Sequence, residues 1–338
     1  MQSISETYQK RPKLFAGIIA LVVVLTGIGI WWLTSKQNDD GLPPPESVAD
    51  TGALRISLLP TSECLPFYVA DAAGIYDSLR LRVNINDTRA QFDADTALYG
   101  QSAHVAYTDL VRLQYQSTKH HRASIIMGLQ GAWGLVESPT RRGGNIKALK
   151  DHLLGVSRYS CSDLYATAAL ATSDLAYDDM LRAQVGDFSV RMNMVLQGQI
   201  EAAVLPEPFL TYATAGGAKT LWRVPAAEAF MGCLAAKPEV LTSRRRSAQV
   251  ALLLQGYNAA VRRINKMGLQ GCDTLLSRRL HVPIDQLQKV KLPRYTLAAM
   301  PQSAALTKSR SFLAERSISL SASMLMDDRF VKNEEEKQ

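Results

Sequence analysis

Twenty consecutive uncharged and mostly apolar residues, Leu14 to Leu33, divide this chain into two parts that fold under different rules. A helix of that length covers the roughly 30 Å hydrocarbon layer of a bilayer with its backbone hydrogen bonds satisfied internally. Lys10, Arg11 and Lys13 precede the run, and Trp31 and Trp32 close it, where indole rings prefer the membrane interface. The basic flank assigns residues 1–13 to the cytoplasm and everything after the run to the other side. A cleaved export signal is the rival reading. Its apolar stretch is shorter, about 7–15 residues, and ends in small residues. This run ends in Trp-Trp-Leu-Thr-Ser-Lys, and no cysteine follows nearby for lipid attachment. The expectation is an uncleaved single-pass anchor at 14–33 in the inner membrane, with the body on the periplasmic or extracellular side. Residues 34–52 include Pro43-Pro44-Pro45 and read as a polar, stiffened tether.

From Ala53 the composition is that of a globular protein, with 47% apolar and 20% charged residues in the whole chain. The net charge of +7 is spread over scattered basic pairs among acidic residues. Nucleic-acid binding concentrates such charge on one face or tail, so no nucleic-acid partner is expected. The four cysteines lack zinc-site spacing, and Cys233 with Cys272 is a possible disulfide pair in an oxidising compartment. No metal or cofactor is expected.

Strand-length apolar stretches alternate with helical patterns through the body: Leu54–Leu59, Leu81–Ile85, His104–Tyr107 and Ser124–Gly128, then Gly134–Glu137, Leu154–Ser157, Phe188–Arg191, Ala202–Leu205, Thr220–Val224 and Met231–Ala236. The remainder reads as helices, among them Arg246–Met267 and Asp273–Leu280. This order predicts an α/β fold with mostly parallel sheets and right-handed crossovers. The pattern restarts once, which predicts two lobes: 53–130 with 231–332, and 131–230, followed by a charged tail at 333–338. Two strands crossing between lobes make a hinge.

In open α/β sheets, ligands sit beyond the carboxyl ends of the strands. That rule selects Ser62, Glu63 and Cys64 after the first strand, Asp109 after the third, Tyr159 and Ser160 in the second lobe, and Glu207 before Pro208. Trp133 and Phe230 lie near the crossings, where an aromatic ring either packs the hinge or stacks on a flat ligand. Ser160, with Asp163, and Asp109 are equally good helix caps. Three candidate carboxylates disfavour an anion and suit an amine or a nitrogen-bearing ring, while Arg158 argues for an anion. The adjacent His120 and His121 read as solvated rather than as a metal site. There is no Gly-x-Ser-x-Gly elbow, P-loop or His-Glu-x-x-His motif, so no enzyme activity is expected.

Five segments, in order, resemble one family. They are Leu54-Arg-Ile-Ser-Leu-Leu-Pro60, Phe67-Tyr-Val-Ala-Asp-Ala-Ala-Gly-Ile-Tyr76, Ala97-Leu-Tyr-Gly-Gln101, Asn145 to Val156, and Met194 to Phe209 with its Leu-Gln-Gly-Gln-Ile-Glu-Ala-Ala core. They are similar to the type 2 periplasmic binding proteins, in the branch that includes taurine, alkanesulfonate, nitrate and thiamine-precursor binders. Glu201, His104 and His152 depart from the family's pattern, and the cysteine-rich signature of its pyrimidine-synthesising relatives is missing. The resemblance implies a small-molecule ligand, with a sulfonate or nitrate-like anion as the alternative to the amine. It implies hinge closure on that ligand and delivery to the permease of an ABC transporter. A tethered sensor or scaffold on the same lobes is the second expectation.

Overall fold

The computed structural model describes residues 52–280, 282–320 and 325–331. The expected anchor at 14–33, nearly all of the tether and the charged tail lie outside the described residues. Among the described residues no helix is long and apolar enough to cross a membrane.

The chain opens with strand β1 (Leu54–Leu58), helices α1 (Leu65–Ala72) and α2 (Ile75–Ser78), β2 (Val83–Asp87), α3 (Gln91–Tyr99), β3 (Val105–Asp109), α4 (Leu110–Ser117) and β4 (Ser124–Leu129). Next come β5 (Trp133–Glu137), β6 (Leu153–Val156), α5 (Cys161–Ala171), β7 (Leu181–Gln184), α6 (Phe188–Leu196), β8 (Ala202–Pro206), α7 (Phe209–Ala215) and β9 (Lys219–Arg223). After β10 (Gly232–Ala236) follow α8 (Pro238–Thr242), α9 (Arg244–Met267), α10 (Asp273–Leu280), α11 (Ile284–Leu287), α12 (Ser303–Ala314) and the short β11 (Leu325–Met326).

Two sheets result, ordered β11-β4-β10-β3-β1-β2 and β7-β6-β8-β5-β9. In the first, β1 lies parallel between β2 and β3, and β10 is antiparallel to β3 and β4. In the second, β6 lies parallel between β7 and β8, and β5 is antiparallel to β8 and β9. The chain leaves the first sheet after β4 and rejoins it at β10. The two crossings touch, since Gly131 N donates to the Ala229 carbonyl at 3.0 Å. β1 alternates as Leu-Arg-Ile-Ser-Leu: Leu54, Ile56 and Leu58 are fully buried on one face, and on the other Ser57 is buried while Arg55 is half-buried.

Three elements differ from the sequence expectation. Phe188–Arg191, read as a strand, is the first turn of α6: Asp187 caps it by accepting from Val190 N at 3.0 Å. Phe188, Arg191, Met192 and Val195 then face inward at helical spacing. Residues 146–152 give only a turn of 3-10 helix at Lys147–Leu149. Leu181–Gln184, outside the strands expected from the sequence, is a short edge strand whose Leu181 is exposed. The capping of α5 also departs in detail. Ser160 Oγ accepts from Ser162 N at 3.2 Å, and Asp163 instead accepts from Tyr159 N and pairs with Arg182 at 2.8 Å.

Cys64, Cys161, Cys233 and Cys272 are all free and buried, so the possible bridge between Cys233 and Cys272 does not form. Burial pushes the thiols of Cys64, Cys161 and Cys233 upward, which suppresses the reactive thiolate. A thiol reagent is therefore expected to leave native protein essentially unlabelled and to label all four cysteines after denaturation. Rapid labelling of the native chain contradicts this packing.

Candidate functional site

The carboxyl ends of β1 and β3 face the second lobe, and the residues chosen from the sequence do gather there. They are tied to protein partners. Ser62 and Glu63 lie in a buried 3-10 turn directly after β1. Ser62 N donates to the Glu207 carbonyl at 2.8 Å, and Ser62 Oγ accepts from Ala132 N at 3.1 Å. Glu63 Oε1 accepts from the indole of Trp133 at 2.5 Å. Burial drives the Glu63 carboxyl upward, and the indole bond opposes it. Gly131 allows this packing, because a Cβ there would run into the Glu63 carboxylate. The Trp133 ring packs against Tyr165 and Phe188, with centroids 5.8 and 5.7 Å apart, and Phe188 packs against Phe209 at 5.9 Å.

Asp109 ties the lobes more directly. It caps α4 by accepting from Arg112 N at 2.9 Å, and the same oxygen accepts from Cys161 N at 3.0 Å, the first amide of α5 in the other lobe. Its second oxygen is buried without a partner, and burial pushes the carboxyl up to about 7. Tyr159 stacks on Tyr115 across the lobes, 4.5 Å between centroids and 18° between planes. Ser160 is the cap of α5. Glu207 accepts from Thr211 N at 2.9 Å at the start of α7 and from Arg223 at 3.3 Å. Cys64 is fully buried, and Phe230 is half-buried beside the return crossing. His121 stacks on Tyr99 at 4.5 Å, and among the described residues no group of histidine, cysteine and acidic side chains is placed to hold a metal.

Between the lobes a groove of about 250 Å³ remains, lined by Pro60 and Arg89 on one side and by Asp187, Ser189, Val190 and Phe209 on the other. None of the nine sequence candidates is in that lining. Its apolar members are Pro60, Val190 and Phe209; its polar members are the exposed Arg89 guanidinium, Ser189 and the Asp187 carboxylate that caps α6. An antiparallel bridge between Ala90 and Asp187 closes one edge. Arg89 follows β2 with no distinguishing motif, and Ser189 was hidden by the strand reading of Phe188–Arg191. Asp187 carried the one available signal, a capping residue after a glycine.

No protein-family model and no curated protein sequence matches the chain. Solved structures do match its fold. The ligand-binding component of an ABC-type import system from Staphylococcus aureus, with zinc bound, superposes with a TM-score of 0.69 at 13% identity, covering 83% of this chain and 98% of that one. The periplasmic aliphatic sulphonate-binding protein SsuA from Escherichia coli gives 0.64 at 14% identity, covering 79% and 88%. The desulfurization enzyme DSZB gives 0.62 at 12%, covering 84% and 99%. The same two-lobed frame therefore serves proteins described as binders and one described as an enzyme. The body of this chain has the α/β, two-lobed fold of the type 2 periplasmic solute-binding proteins.

Proposed function

We propose that this chain is a membrane-tethered, extracytoplasmic solute-binding protein whose lobes close on a small anion and deliver it to an ABC transporter permease. The supporting observation is the interlobe groove, where the exposed Arg89 lies with the amino end of α6, whose cap Asp187 is the one acid of the lining. A guanidinium and a helix N-terminus both favour negative charge. The carboxylates that argued for an amine carry protein partners: the Trp133 indole for Glu63, backbone amides for Asp109, and Thr211 N with Arg223 for Glu207. A volume of about 250 Å³ suits a small compound. Structural neighbours described as sulphonate binders support the same class. Binding without turnover is proposed, and the buried thiols favour it over nucleophilic chemistry.

The test is a thermal-shift and calorimetric panel of small sulfonates, carboxylates, nitrate and amines on the full chain in detergent. Stabilisation by one anion class is expected. Arg89→Ala should weaken it by roughly 10- to 100-fold, the loss of one charge-assisted contact. Stabilisation by an amine alone, or an Arg89→Ala variant that binds unchanged, overturns the anion assignment.

A tethered sensor or scaffold is the second reading, and α12 favours it. This helix packs on α4 of the first lobe, where Gln114 Nε2 donates to Ser309 Oγ at 3.0 Å. Just beyond its end, Arg316 reaches the second lobe, donating to Thr167 Oγ1 at 3.2 Å with its guanidinium 4.0 Å from the Tyr177 ring. Such a strap opposes hinge opening. X-ray scattering that shows no change in radius with any ligand would move the assignment to this reading.

A further inference from the structure

The end of the first lobe opposite the groove concentrates cationic side chains. β1 and β2 run from this end toward the groove, starting at the paired Leu54 and Val83. β10 runs the other way and finishes there, with Ala236 opposite Val105. Three guanidinium groups gather where the chain enters the body. Arg246 Nη1 donates to the Ala53 carbonyl at 2.9 Å, and Gln249 Nε2 donates to that of Gly52 at 2.7 Å. A Cβ built on Gly52 would meet the Arg245 guanidinium and lie 3.0 Å from Arg82 Nη2, so these two like charges stand close together. Arg80 and Arg244, beside them in sequence, are exposed. Arg55 donates to the carbonyls of Gln101 and Ser102. Lys237 and Arg246 line an open groove of about 480 Å³ with Tyr99 and His104, and Glu239 is the acidic member of that lining. Asp77, in α2, and Asp50, two residues before Gly52, are further acids close in sequence to the cluster.

We propose that this cationic end is a docking surface for a bilayer carrying anionic lipid headgroups. The inference rests on the tethered reading above, which holds the body within reach of a membrane. Adjacent guanidinium groups are weakly hydrated and match phosphate oxygens in a forked geometry. Several cations spread over one end of a sheet suit a plane of phosphates better than a single free anion. Because the strands run from this end to the groove, docking leaves the solute groove turned away from the headgroups.

The test reconstitutes the full chain in nanodiscs of phosphatidylcholine, with or without about 30% phosphatidylglycerol, and follows backbone hydrogen exchange. Segments 79–83 and 243–249 are expected to exchange at least about tenfold more slowly in the anionic discs, and the difference should vanish near roughly 0.5 M salt. The double variant Arg82→Glu/Arg245→Glu should abolish it. Arg122→Glu/Arg142→Glu, with the same change in net charge at other exposed sites, should retain it. Equal exchange in both discs, or protection that survives in the Arg82/Arg245 variant, overturns the proposal. Equal protection by free glycerol phosphate in neutral discs also overturns it, by identifying a soluble-phosphate site. The tether is read separately: association with both discs supports it, association with anionic discs alone sinks the tether and keeps the docking, and association with neither sinks both.

Discussion

Trp133→Ala is expected to remove about 4 kcal/mol or more of stability in urea unfolding of the full chain, the largest effect among the residues named here. Two separate losses combine. The indole is buried against Tyr165 and Phe188, and deleting a ring of that size from a close-packed cluster costs about 3–5 kcal/mol. The second loss is electrostatic. The indole N–H is the donor to Glu63 Oε1, and that carboxylate is buried in the first lobe while Trp133 opens β5 of the second. Removing the donor leaves an acceptor without its partner, costing about 1–3 kcal/mol. Trp133→Phe separates the terms: it keeps most of the ring contact and should cost about 1–3 kcal/mol. Glu63→Gln keeps an acceptor for the indole and removes a charge that burial already disfavours, so it should be close to neutral. A Trp133→Phe variant as stable as the parent would falsify the energetic role of the Glu63 tie. A Trp133→Ala cost below about 1 kcal/mol would mean that the aromatic cluster does not hold the lobes together.

That cluster also marks the limit of what the sequence alone reveals. The alternation of strands and helices, and the restart near Trp133, are periodic signals, and β1, β3, β8 and β10 fall where apolar runs of strand length stand. In sequence Asp109 and Ser160 suit a cap and a ligand group equally, and in the structure both cap. What the residues could not disclose is which distant group meets each loop carboxylate. Glu63 meets an indole 70 positions away, and Asp109 meets an amide 52 positions away. A buried carboxylate with a protein donor and a carboxylate awaiting a ligand look identical in a sequence. Arg89 fails for the opposite reason: an arginine after an edge strand carries no periodicity at all, and only the approach of α6 makes it part of a groove. The edge strand Leu181–Gln184 is invisible because it is short and partly exposed, so it lacks the apolar run that betrays a central strand.

Asp109→Asn is expected to change the pH dependence of stability by several kcal/mol. In the folded chain burial lifts this carboxyl from its ordinary 3.8 to about 7. Between about pH 4 and pH 7 the folded state therefore holds a proton that the unfolded chain has released. Fewer protons on the unfolded side mean that stability falls as pH rises through this window and is flat above it. The lift corresponds to about 4 kcal/mol as an upper figure. The groups facing Asp109 do not cancel it. Arg112, on α4, pairs with Asp95 of α3 at 2.5 Å, and the nearby Cys161 thiol of α5 and Tyr107 of β3 are buried and pushed up, remaining neutral. Asparagine keeps an oxygen for the amides of Arg112 and Cys161 and cannot ionise. The variant should match the parent at about pH 4 and below and exceed it by about 2–4 kcal/mol at pH 8. Glu63 titrates in the same direction in both proteins and drops out of the difference. The same sign applies to closure, since Asp109 reaches the Cys161 amide only with the lobes together: falling pH should favour the closed form. Parallel stability curves for the two proteins across pH 4 to 8 would show that Asp109 is not the titrating tie between the lobes.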